Sequence, residues 1–101
     1  MPYSLKQKIP NNKLIDFCKK NHIKKLSLFG SAANDSLRPD SDIDLLVEFE
    51  KDRTPGLFTI VRMETELTKM LGRKADLRTP NELSQYFRDE VLKNAQLQYQ
   101  S

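Results

Sequence analysis

The 101-residue sequence predicts an α+β fold, a small mixed β-sheet with helices packed on one face. Three observations carry this reading. Residues 25–29, 42–49 and 73–78 alternate apolar with polar side chains, the period of a strand. Residues 57–71 repeat apolar side chains at the period of a helix, and clusters of Asn, Asp, Ser, Pro and Gly separate these runs.

The elements follow in order. Asn11 and Asn12 are suited to cap a helix carrying Leu14, Ile15, Phe17 and Cys18, and Asn21 to the left-handed turn that ends it. The strand over 25–29 stops at Gly30-Ser31, where Ala32 and Ala33 begin a short helical turn. Residues 34–41 are turn formers and predict a loop. Along 42–49, Ile43, Leu45, Val47 and Phe49 share one face; Asp42, Asp44, Leu46 and Glu48 share the other. A helix with Leu57, Ile60, Val61, Met63, Leu67, Met70 and Leu71 closes at Gly72. In the strand over 73–78, Ala75 and Leu77 point to the core, so Asp76 shares a side with Asp42 and Asp44 if the two strands are neighbours. Thr79-Pro80-Asn81-Glu82 has the form of a capping box opening a last helix through Leu83, Phe87 and Val91. The order is helix, strand, strand, helix, strand, helix, read as a single domain over 1–101 with no internal repeat or linker.

Composition narrows the class. Apolar residues are 38% and charged residues 31% of a chain with 3 Gly and 5 Pro, a balance that builds one compact core. No apolar run approaches the roughly 18 residues that span a bilayer, and the polar start lacks a signal-peptide core, so the expectation is a cytoplasmic protein without a membrane partner. A net charge of +3 is modest. The lysines at 19, 20, 24 and 25 read as solvated rather than as a nucleic-acid surface. Cys18, the sole cysteine, has no disulfide partner; its i, i+4 spacing to His22 could suggest a metal or nucleophile pair, but a thiol beside an apolar stripe reads as packing.

Chemistry concentrates in the aspartates. Asp42 and Asp44, at i and i+2 on one strand, point the same way with Cα atoms about 6 to 7 Å apart, where like charges repel unless a cation neutralises them. An oxygen-only cluster suits Mg²⁺, which takes its remaining ligands from water and substrate phosphates. Gly30 and Ser31, between a strand end and a helical turn, can cradle phosphate oxygens with backbone N–H groups and a hydroxyl.

Gly30-Ser31, ten intervening residues, then Asp42-Ile43-Asp44 resembles the signature of the DNA polymerase β-like nucleotidyltransferase superfamily. The context LFGSAANDSLRPDSDIDLLVEFE with GRKADLRTP resembles its minimal nucleotidyltransferase family, over about residues 13–99. The resemblance implies that Gly30 and Ser31 bind the triphosphate, that Asp42 and Asp44 hold two Mg²⁺ ions, and that Asp76 completes one metal site near the attacking hydroxyl. One ion would activate that hydroxyl and the other would stabilise the leaving pyrophosphate. The chain departs from the family's Gly-Ser-x-Ala-Arg-Gly by carrying Asn34 in place of the basic residue, a charge that Arg38, Lys74, Arg78 or a partner could replace. Stand-alone members of the family are antitoxins that transfer AMP from ATP to a tyrosine of a HEPN-domain ribonuclease toxin, which implies that toxin as partner in a hetero-oligomer. The alternatives are an inactive antitoxin acting by contact and a small-molecule nucleotidyltransferase.

Overall fold

The computed structural model describes residues 4–30, 33 and 38–101. A single turn, α1 (Leu5–Lys8), leads into α2 (Asn11–Lys20), β1 (Ile23–Leu28) and β2 (Ile43–Phe49). Then come α3 (Leu57–Leu71), β3 (Ala75–Arg78), a 3₁₀ turn at Pro80–Glu82, α4 (Gln85–Asn94) and β4 (Gln96–Gln100). The sheet runs β3-β2-β1-β4; β2 pairs parallel with β3, while β1 pairs antiparallel with both β2 and β4.

The alternation expected of β2 is observed. Ile43, Leu45 and Val47 are buried with Leu14 and Phe17 of α2 and Met63 and Leu67 of α3, so the first three helices cover one face. The opposite face is not bare. Leu46 packs there with Phe29, Val91 of α4 and Leu83, so α4 covers part of the face that carries the aspartates.

The differences from expectation are local. Pro10, not an asparagine, occupies the N-cap of α2, and the left-handed residue is His22 (φ 56) rather than Asn21. Asn21 instead ends the helix through its side-chain amide, which donates to the Phe17 carbonyl at 2.8 Å. The Thr79 capping box makes one 3₁₀ turn, with its hydroxyl 3.3 Å from Glu82; α4 itself starts after Ser84, whose Oγ accepts from Phe87 N. Both α1 and β4 are absent from the expected order. Leu5 and Ile9 nevertheless bury fully, and β4 adds its strand beside β1.

Helix α3 also finishes the outer edge of β3. Thr68 Oγ1 accepts from Ala75 N at 3.0 Å and Glu64 Oε2 from Leu77 N at 2.8 Å, which satisfies N–H groups that no strand reaches.

Candidate active site

Three segments meet at one end of the sheet. Parallel pairing sets Asp44 of β2 directly opposite Asp76 of β3, on the face away from the main core. Asp42 stands one residue before β2 and is exposed, whereas Asp44 and Asp76 are half-buried. The expected common side follows from register for Asp44 and Asp76, and Asp42, outside the strand, is near enough for its charge to act on Asp44. Gly30 closes the third side: it adopts φ +68, and a Cβ there would lie 2.8 Å from Asp44 Oδ2. Phe29 N donates to the Asp44 carbonyl at 3.0 Å, which ties this turn to the start of β2. Ser31 and Asn34 lie outside the described residues.

The electrostatics are those of crowded carboxylates. Burial first, then the charges of Asp76 and Asp42, push the Asp44 carboxyl above its usual range, with Arg78 opposing. Glu64 is raised as well, chiefly by burial; Leu77 N opposes the rise, and a hydrogen bond and the charge of Asp76 add to it. Arg78 is the cation that answers this cluster. Its guanidinium lies 3.3 Å from Asp76 Oδ2 and 3.7 Å from Glu82, which makes it, of the three basic residues weighed against Asn34, the one shown at the carboxylates.

Sequence reasoning passed over Glu64. The signal was its place on the apolar stripe of α3 with Ile60, Leu67 and Leu71, where a charge needs a partner. Cys18 and His22 do not form a second site: the thiol is in the core with its pKa pushed up to about 12 by burial, and the imidazole faces Glu50.

Two hollows flank the carboxylates. One, of about 390 Å³, is lined by Phe29, Gly30, Ala33, Asp44 and the α4 residues Phe87 and Val91. The other, of about 440 Å³, opens on the β3 side between Thr54, Pro55, Glu64, Asp76, Arg78 and Glu82. Arg88 fixes the wall between α4 and β3 by donating to the carbonyls of Pro80 (2.7 Å) and Leu83 (3.1 Å).

Among the described residues no three carboxylate, histidine or cysteine side chains converge tightly enough to enclose a metal ion. The donor set still fits Mg²⁺ in kind: it is all oxygen, and its members repel one another where a divalent cation would relieve them.

A left-handed glycine turn packed on a strand aspartate, with a second aspartate opposite on a parallel neighbour, leaves room for an anionic group beside a cation. Residues 12–98 match the model of the nucleotidyltransferase domain, and the chain belongs to that family. It is 36% identical over 83 residues to a protein of Methanocaldococcus jannaschii whose name proposes protein adenylyltransferase activity, a match covering 82% of this chain and 87% of that one. A solved structure described as a proposed minimal nucleotidyltransferase superposes with a TM-score of 0.70 at 33% identity, covering 83% of this chain and 84% of that one. The fold is also that of a Shewanella oneidensis complex, a tri-AMPylated HEPN toxin with its MNT antitoxin (TM-score 0.64, 21% identity, 89% of this chain and 69% of that one). No helix among the described residues is long and apolar enough to cross a membrane.

Proposed function

We propose that this nucleotidyltransferase moves AMP from ATP to a tyrosine hydroxyl of a HEPN-domain ribonuclease and acts as its antitoxin. The observation that carries the reading is the pairing of Asp44 with Asp76 beside Gly30, with a hollow on either side. The relative named for protein adenylyl transfer supports the chemistry, and the AMPylated toxin complex supports the class of partner.

Gly30 leaves the space in which a phosphate oxygen can approach backbone N–H groups, and Ser31 supplies the hydroxyl beside it. The hollow between Gly30 and α4 has room and apolar walls for the nucleoside, with Phe87 offering an aromatic face. Asp42, Asp44 and Asp76 are the ligands for Mg²⁺, which when bound supplies the positive charge that steadies the triphosphate and makes the acceptor hydroxyl more acidic. The acceptor enters from the β3 side, where Asp76 can accept the hydroxyl's hydrogen bond and Arg78 balances the added charge. The hydroxyl releases its proton to solvent as its oxygen bonds to the α-phosphorus, the α–β anhydride bond breaks, and pyrophosphate leaves on the opposite side. A tyrosine suits this acceptor role because its hydroxyl, with a pKa near 10, ionises far more readily than an aliphatic alcohol.

The test mixes the protein, ATP and Mg²⁺ with a HEPN ribonuclease as the candidate partner, separates the two, and measures the ribonuclease's mass and activity. The expected result is a ribonuclease heavier by one or more adenylyl groups and still inactive. An unmodified ribonuclease that regains full activity would instead establish inhibition by contact.

A further inference from the structure

We propose that Arg73 is a positioning residue for Asp42, clamping the loop from which that aspartate projects. The inference rests on the reading of Asp42 as a metal ligand. Of the three aspartates, Asp42 alone lies outside a strand, so ladder hydrogen bonds do not fix it as they fix Asp44 and Asp76.

What fixes it is the turn after α3. Gly72, at φ +70, ends the helix and directs the next two residues toward the segment 38–43. The Arg73 guanidinium donates through Nη2 to the Arg38 carbonyl and, at 2.7 Å, to the Ser41 carbonyl. These carbonyls stand at the two ends of one turn, which is itself closed by Ser41 N donating to Arg38 O (3.0 Å) and Arg38 N donating to Ser41 Oγ (3.2 Å). The next peptide is held as well: Ile43 N donates to the Lys74 carbonyl at 2.8 Å. The peptide groups before and after the Asp42 Cα are therefore both bound by consecutive residues of the β3 approach. The carboxylate itself remains exposed and free to meet a ligand.

Arg73 Nε is buried without a hydrogen-bond partner among the described residues. An apolar side chain would fill that space without this desolvation, so what the guanidinium contributes is its reach to two carbonyls at once. Its effect on the site is geometric: it keeps Asp42 in fixed relation to Asp44, and a group that orients a metal ligand in this way is worth roughly 10- to 100-fold in metal affinity.

Mn²⁺ is the probe, with binding followed by electron paramagnetic resonance at a temperature where thermal melts show each protein folded. Asp42→Asn sets the scale for loss of the ligand. Arg73→Gln is expected to weaken Mn²⁺ binding about tenfold, and Arg73→Lys, which keeps a charge and donors without the planar fork, by a smaller factor. A merely structural clamp would lower the melting temperature of Arg73→Gln and leave the affinity of its folded form unchanged, and that result overturns the proposal. Should Arg73→Gln fail to fold, parent affinity in folded Arg73→Lys overturns it equally. Unaltered binding by Asp42→Asn would remove the ligand reading, and the role of Arg73 falls with it.

Discussion

Replacing Gly30 by alanine separates two consequences of one methyl group. The first is conformational. At φ +68 a residue with a Cβ costs about 1–2 kcal/mol relative to glycine. Unfolding entropy near 2.1 cal/mol/K per residue gives a chain of this size about 0.2 kcal/mol/K, so the melting temperature should fall by roughly 5–10 °C. The second is steric and falls on function. The new Cβ would meet Asp44 Oδ2 at 2.8 Å, closer than real Cβ contacts, and the cheapest relief is a turn of the Asp44 side chain. That moves a carboxylate proposed to hold the metal, so folded Gly30→Ala should lose nucleotidyl transfer by far more than its lowered stability accounts for. Differential scanning calorimetry and transfer of labelled AMP, both made well below the melting point, are the measurements. A melting point within a degree of the parent's, together with parent-like transfer, would refute the argument on both counts.

Three further outcomes are expected. Asp44→Asn should abolish transfer yet melt higher than the parent at neutral pH without Mg²⁺. The folded state raises the Asp44 carboxyl above its unfolded value, so its ionised form costs stability at neutral pH, and the gap between the two melts should close as the pH falls into the ordinary carboxylate range; a lower melt at neutral pH would count against the repulsion. Cys18, with its pKa pushed up to about 12, should resist a thiol reagent in the native protein and react at once in denaturant, and rapid native labelling would contradict its burial. Leu57, 75% exposed at the start of α3, lines the Asp76 hollow, so Leu57→Ser should leave the melting temperature within a degree or two while weakening association with the proposed HEPN partner in calorimetric titration; undiminished association would take the docking face elsewhere.

The parts of the site that could be read from sequence are those written in side chains at fixed periods. The i, i+2 spacing put Asp42 and Asp44 on one face, and the alternation of Ala75, Asp76 and Leu77 put the third aspartate on the same side once β3 lay beside β2. Strand β4 escaped although Gln96-Leu97-Gln98-Tyr99-Gln100 alternates polar with apolar side chains, because the run is five residues long, Leu97 is half-exposed, and no Gly or Pro separates it from the helix before it. The fully buried Leu5 and Ile9 were equally hidden, each alone among polar neighbours. Helix α4 reached the second face because Val91 finds Leu46, the one apolar residue that β2 turns toward the aspartates. Arg73 could not be anticipated at all, since its acceptors are backbone carbonyls and carbonyls have no sequence.

The sheet order also bears on how the chain comes to be folded. Strand β1 is an interior strand whose two neighbours arrive at very different times: β2 follows it closely, but β4 brings Gln100 to Lys25 across most of the sequence. Until residues 96–100 are synthesised, β1 is a sheet edge with a full row of unpaired N–H and C=O groups, the condition in which nascent chains join one another. Lys24 and Lys25 sit within that temporary edge, and their charges discourage a second nascent chain from pairing there. Two lysines of a strand that is interior in the finished sheet thus oppose mispairing in the interval before β4 arrives.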